Sequence, residues 1–204
     1  MAVRTWTAAV DSDWTNTGNW AEGAAPIDGD TIDIQSNVAP TNIPDQAGWT
    51  LYFQMTGSTA VTAHVNSFLH TTNPAAVQDV TIGNPNAFLY LDADINGNLT
   101  INTGTVYVNL DPVVVYGSIS VGANGTLGAG GFYLDARGAF TVAGLLYLWR
   151  GVIDAAENIV LQDGATVNLS NGGEIYGGID AADEATVTWT NINSDATDIY
   201  LDDY

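Results

Sequence analysis

The chain has 204 residues, 46% of them hydrophobic, with no cysteine, no lysine, three arginines and 23 acidic residues, for a formal net charge of −20. Such a length allows one domain with a sizeable core. The charge excludes direct nucleic-acid contact, which needs Lys or Arg to replace phosphate counterions, and it disfavours anionic membranes; the lack of cysteine excludes disulfides and thiolate metal sites.

The first residues, Met1 to Trp6, lack the basic start and apolar core of a signal peptide, and no run reaches transmembrane length. Synthesis and assembly in a cytoplasm, without an export signal of its own, is the expectation. Residues 5–35 hold three of the six tryptophans. Trp6 sits in a short strand-like run, Asp11-Ser12-Asp13-Trp14 and Thr17-Gly18-Asn19-Trp20 read as turns, and Ala25-Pro26 leads through Asp28-Gly29-Asp30 into the strand Thr31-Ile32-Asp33-Ile34. Large indoles interleaved with turn residues suit the covering of an open apolar end. Pro40 and Pro44 make residues 36–45 an extended arm or loop, so residues 1–47 are assigned to an N-terminal cap and arm.

From Gly48 to Met55, Trp49, Leu51, Phe53 and Met55 alternate with Thr50, Tyr52 and Gln54, the pattern of a half-buried strand. Downstream, short apolar pairs recur: Val61/Ala63, Val80/Ile82, Leu99/Ile101, Ile119/Val121, Phe140/Val142 and Ile159/Leu161, at steps of 19, 19, 20, 21 and 19 residues. A glycine stands two residues ahead of three of them (Gly97, Gly117, Gly138). A second ladder runs through Val106/Val108, Leu127, Leu146/Leu148 and Val167/Leu169, and a third through Val114, Leu134, Ile153 and Ile175. Three short strands in each turn of about twenty residues is the period of a parallel β-helix, whose coils stack at about 4.8 Å. The 22 Gly, 18 Asn and 19 Asp supply its corners. The expected fold is therefore all-β, a single-stranded parallel β-helix over residues 48–204 behind a Trp-rich N-terminal cap. After Leu169 the period loosens; Ala185 to Thr190 reads as a strand, with Trp189, Tyr200 and Leu201 placed to cover the last coil.

Several side chains invite a chemical reading. His64 and His70 lie six apart and could bind a metal with nearby carboxylates, but no third imidazole or Glu stands at usual ligand spacing, so an exposed or hydrogen-bonded structural role is expected. Asp92 and Asp111 are 19 apart, as are Asp135 and Asp154, so each pair is a candidate to stack on adjacent coils. Stacked carboxylates serve as acid and base, or share a calcium ion; the competing reading is that each Asp forms a turn at a strand end. Arg137, next to Asp135, is the residue a lyase would use as base. No residue is assigned as catalytic, cofactor-binding or metal-ligating, no cofactor is assigned, and structural calcium is left open. Tyr107, Tyr116, Tyr133, Tyr147, Trp149, Tyr176 and Trp189 recur through the repeats, several of them beside inward aliphatics and so expected to face outward, as a protein interface or a sugar-binding strip. The acidity reads as solubility and resistance to self-association, with divalent-cation binding as the sharper alternative.

The order Trp6, Asp13-Trp14, Asn19-Trp20, Pro26, Asp30 and Ile32/Ile34 resembles the opening module of β-helical surface and phage proteins. The resemblance covers about 35 residues. With no export signal, it implies a phage virion part. The expectation is a non-enzymatic virion structural protein, a capsid decoration or head-fibre-like subunit of a tailed phage, homo-oligomeric and bound to a capsid or tail protein. The rival readings are a glycan-binding or glycan-cleaving tailspike-like module and a bacterial surface-layer or adhesin component, located on an extracellular surface.

Overall fold

The computed structural model describes residues 1–69 and 76–181 and the backbone of 188–190. Taken coil by coil, its strands are β1 (Val3–Trp6), β2 (Thr31–Ile34), β3 (Thr50–Met55) and β4 (Val61–His64), then β5 (Ala76–Ile82) and β6 (Ala87–Leu91). They continue with β7 (Leu99–Val108) and β8 (Val113–Val115), β9 (Ile119–Gly130) and β10 (Tyr133–Ala136), and β11 (Phe140–Val142), β12 (Leu145–Trp149) and β13 (Val152–Ala155). The last are β14 (Ile159–Leu161), β15 (Thr166–Ser170), β16 (Glu174–Tyr176), β17 (Ile179–Ala181) and β18 (Thr188–Thr190). Every pairing between these strands is parallel, and about seven turns stack into a β-solenoid.

The solenoid has three sides. The first is the run β1-β2-β3-β5-β7-β9-β11-β14-β17. The second comprises β4, β6, the later halves of β7 and β9, β12, β15 and β18, because β7 and β9 turn the corner between the two sides. The third is β8-β10-β13-β16. Within each strand alternate residues point inward, so Leu99, Ile119, Phe140 and Ile159 form one buried column and Val106, Leu127, Leu146 and Val167 another. The core is continuous from Trp6 to Ile175.

The repeated glycine has a steric cause. Gly97, Gly117 and Gly138 stack at one corner, where a Cβ on Gly138 would stand 2.6 Å from the Gly117 carbonyl oxygen. The neighbouring polar residues bridge the same corner: Asp79 Oδ1 accepts from the Asn98 NH at 2.7 Å, and Asn98 Oδ1 from the Ser118 NH at 2.9 Å. Backbone donors freed by the turn thus find acceptors one coil below.

Two column assignments need correction. Val61/Ala63 lies on the second side, opposite Ala87 and Leu89, and the pair beneath Val80/Ile82 is Phe53/Met55. The coil starting at β3 is longer than its successors and carries a short 3-10 turn, Val65–Phe68, so the 19-residue step from Val61 links different sides. In the third column Leu134 faces Val113 rather than Val114, and Val113 and Val115 are buried while Val114 points outward. Three consecutive valines carry no alternation to set the phase.

At the amino end, β1 and β2 form the first strands of the long sheet. Trp6, Trp14 and Trp20 are buried, with Trp6–Trp20 and Trp14–Trp20 ring centroids 4.8 and 5.0 Å apart. The indole of Trp20 donates to the Trp14 carbonyl and that of Trp6 to the Val38 carbonyl. Asn19, fully buried, accepts from the Val10 and Asp11 NH groups and donates to Asp11 and to the Asp13 carbonyl. The free edge of β1 is occupied: the Ala21 NH donates to the Thr5 carbonyl, and the Thr5 NH donates to Glu22 at 2.7 Å. A charged side chain on an edge strand opposes further strand addition. At the other end, Trp189 lies on β18 opposite Val167; Tyr200 and Leu201 lie outside the described residues. Among the described residues, no helix is long and apolar enough to cross a membrane.

Candidate functional site

The outward residues of the second side form an aromatic face. On the column of alternating outward positions stand His64, Tyr90, Tyr107, Gly128, Tyr147 and Asn168, flanked by Phe88 and Leu145 on one side and Trp149 on the other. His64 stacks on Tyr90 at 4.4 Å and Phe88 on Tyr107 at 5.0 Å, while Phe88 and Tyr90 meet at a tilt. The Tyr107 ring reaches across Gly128, where a Cβ would come 2.7 Å from ring carbon Cε1. Burial pushes the Tyr107 phenol above its ordinary pKa, and the nearby Tyr147 and Tyr90 hydroxyls add to the effect. Trp149 is 41% exposed at the corner, and the guanidinium of Arg150 lies 5.3 Å from its ring centroid.

The third side mixes tyrosines with carboxylates. Asp135 and Asp154 face each other on β10 and β13, as their spacing predicts. Neither carboxylate is idle. Arg137 donates to Asp135 from Nε at 2.9 Å and from a terminal nitrogen at 2.7 Å, and the Tyr133 hydroxyl donates to Asp154. Two bare carboxylates on facing positions would repel, and the Arg137 cation beside Asp135 offsets that repulsion. The hydrogen bond to Asp154 raises the Tyr133 pKa to about 12, with burial and the Asp154 and Asp135 charges acting in the same direction. Arg137 also lies 5.0 Å from the Tyr116 ring centroid, and the Tyr176 hydroxyl donates to Glu174.

Asp92 and Asp111 do not stack. Leu91 faces Val108, so Asp92 is level with Asn109, whose NH donates to the Leu91 carbonyl, and Asp111 lies two residues further on in an exposed loop. Asp92 instead pairs with Nδ1 of His64 at 2.9 Å and accepts from the Asn66 NH at 2.8 Å, clamping the turn after β4 to the end of β6. Of the exposed and hydrogen-bonded roles open for His64, this is the hydrogen-bonded one; His70 lies outside the described residues. Among the described residues, no group of three or more His, Asp or Glu is placed to hold a metal ion. An open groove of about 550 Å³ runs beside the third side, lined by Asp92, Asp94, Asn96, Leu110, Pro112 and Tyr116 among others.

The outward aromatics thus divide between two sides: Tyr107, Tyr147 and Trp149 on the second, Tyr116, Tyr133 and Tyr176 on the third. Phe88 and Tyr90, which complete the second-side cluster, were legible as outward residues from their alternation with Leu89 and Leu91. The pairing of His64 with Asp92, 28 residues apart, left no such signal. No protein-family model, curated protein or solved structure matches the chain.

Proposed function

We propose that the chain is a non-enzymatic structural protein that works through its outer surface, in the setting of a virion, as a capsid decoration or head-fibre-like subunit of a tailed phage. The observation that carries the non-enzymatic part is the engagement of the carboxylates. A β-helical polysaccharide hydrolase pairs one carboxyl group that gives a proton with another that takes one or attacks, both facing the substrate. Here Asp135 is held by Arg137, Asp154 by Tyr133 and Asp92 by His64, and Asp111 stands apart. What remains for function is a stiff rod with an acidic skin and two aromatic sides. Resistance to bending comes from the stacked coils, and solubility from the net charge of −20.

The phage setting rests on the Trp-bearing opening residues and on the solenoid behind them. It is tested by incubating the purified chain with tailed-phage heads assembled without it, then sedimenting the heads. Saturable co-sedimentation supports the proposal; a chain that stays in the supernatant and shortens a polysaccharide instead would reverse it. A glycan-binding reading draws on the aromatic second side. Phe88 and Tyr107 stack on each other, however, which takes up ring faces that a sugar would otherwise cover.

A further inference from the structure

We infer that the second side is where another copy of this chain docks, that copy presenting one of its acid-bearing faces so that Arg150 receives a carboxylate from it. The inference deepens the structural reading above and rests on it. It starts from charge. With 23 acidic residues and three arginines, most ways of bringing two copies together set carboxylate against carboxylate. The third side offers Asp135, Asp154 and Glu174 to an approaching copy. On the second side, the outward positions of β7, β9, β12 and β15 from Thr105 to Ser170 contain no Asp or Glu. Their centre is Tyr107, Leu145, Tyr147 and Trp149.

The second observation is Arg150. Arg4 is bound to Asp30 and Arg137 to Asp135, whereas among the described residues Arg150 has no carboxylate partner. It is exposed, holds a left-handed backbone (φ 56°) that non-glycine residues rarely adopt, and lies over the exposed ring of Trp149. A guanidinium stacked on an indole keeps its edge donors aimed away from the ring, ready for a carboxylate. Trp, Tyr and Arg in one cluster is the composition of an interface centre. A neutral glycan would leave that cation unused; a second copy brings carboxylates in abundance.

Size sets the strength. Five strands (β6, β7, β9, β12, β15) at about 4.8 Å and about five residues across at roughly 3.3 Å make a patch on the order of 400 Å². That is about half the ~800 Å² per partner of a standard interface. Association should therefore be weak, opposed at long range by net charge, and strengthened by salt.

Sedimentation velocity of the full chain, at low and high salt over a range of concentration, tests this. The expected result is salt-promoted self-association, weakened about 30-fold or more by Trp149→Glu and also by Tyr147→Glu and Arg150→Glu. Tyr116→Glu and Tyr176→Glu, on the third side, leave it unchanged. Hydroxyl-radical footprinting of the unaltered chain gives a readout independent of how well the variants fold: Tyr147 and Trp149 become protected as concentration rises. A monomer under all conditions, or association lost through Tyr116 or Tyr176 and not through Trp149, overturns the inference. A monomer that still sediments with heads overturns it while leaving the virion proposal standing.

Discussion

Asp135 and Asp154 face each other on neighbouring strands, yet each carboxylate is taken by a different neighbour, Arg137 in one case and Tyr133 in the other. The pairing has a consequence in solution. Asp154→Asn removes the charged acceptor that raises the Tyr133 pKa to about 12 and should return it toward the ordinary value of 10. Because the folded pKa is the higher one, the contribution of this bond to stability is complete below pH 10 and is lost as pH rises toward 12. Ultraviolet titration of tyrosine ionisation reads the change; an unaltered midpoint for Tyr133 in the variant would show that Asp154 is not its partner.

Two glycines should respond differently to alanine. At Gly138 the added Cβ meets the backbone of Gly117, which cannot move without disturbing the corner, so Gly138→Ala should cost roughly 2–4 kcal/mol. At Gly128 it meets the Tyr107 ring, a side chain that can swing aside, so Gly128→Ala should cost under about 1 kcal/mol. Urea unfolding ranks the two, and equal costs would contradict the stacked-corner account.

The N-terminal tryptophan cluster should be the acid-sensitive part. Asp11 is held below its ordinary pKa by Asn19 first, and Asp13 by Asn42 first. For Glu22 and Asp30 burial works the other way, but the Thr5 donors on Glu22, and the Ala2 and Ile27 NH groups with Arg4 on Asp30, outweigh it. A depressed folded pKa gives stability that is present above the unfolded value, near 4, and is lost as pH falls through the folded one. Relief of net-charge repulsion on acidification acts in the opposite direction. Tryptophan fluorescence should therefore report the cluster loosening below about pH 4, at protein concentrations low enough to avoid precipitation near the isoelectric point of 4.1. A cluster that becomes more stable below that pH would mean repulsion dominates.

Asn19 ties that region together from a fully buried position. Asn19→Ala strands two backbone NH groups and a carbonyl and should cost about 2–4 kcal/mol by urea unfolding. A cost below about 0.5 kcal/mol would show that the loop rearranges around the loss.

The solenoid was legible because its inward pairs are apolar at a nearly constant period, and Ile119, Phe140 and Ile159 do stack as that period requires. Phase was legible only where polar and apolar residues alternate. Leu146 and Leu148 alternate with Tyr147 and were placed correctly, whereas Val113-Val114-Val115 offers no contrast and slipped by one. The Asp pairs show the same limit. A spacing of 19 places Asp135 on Asp154, but the same spacing fails for Asp92 and Asp111, because the coil there advances by 17 on the second side, from Leu91 to Val108, before looping out. Contacts such as Asp92 with His64 depend on the lengths of individual loops, which a mean period does not contain.

The proposed role is that of a rod held on a larger assembly by its surface. Cryo-electron microscopy of tailed-phage heads incubated with the chain tests it most directly. Added density of β-solenoid width at fixed positions on the head lattice is the expected result. Heads indistinguishable from untreated ones at saturating chain concentration would contradict it.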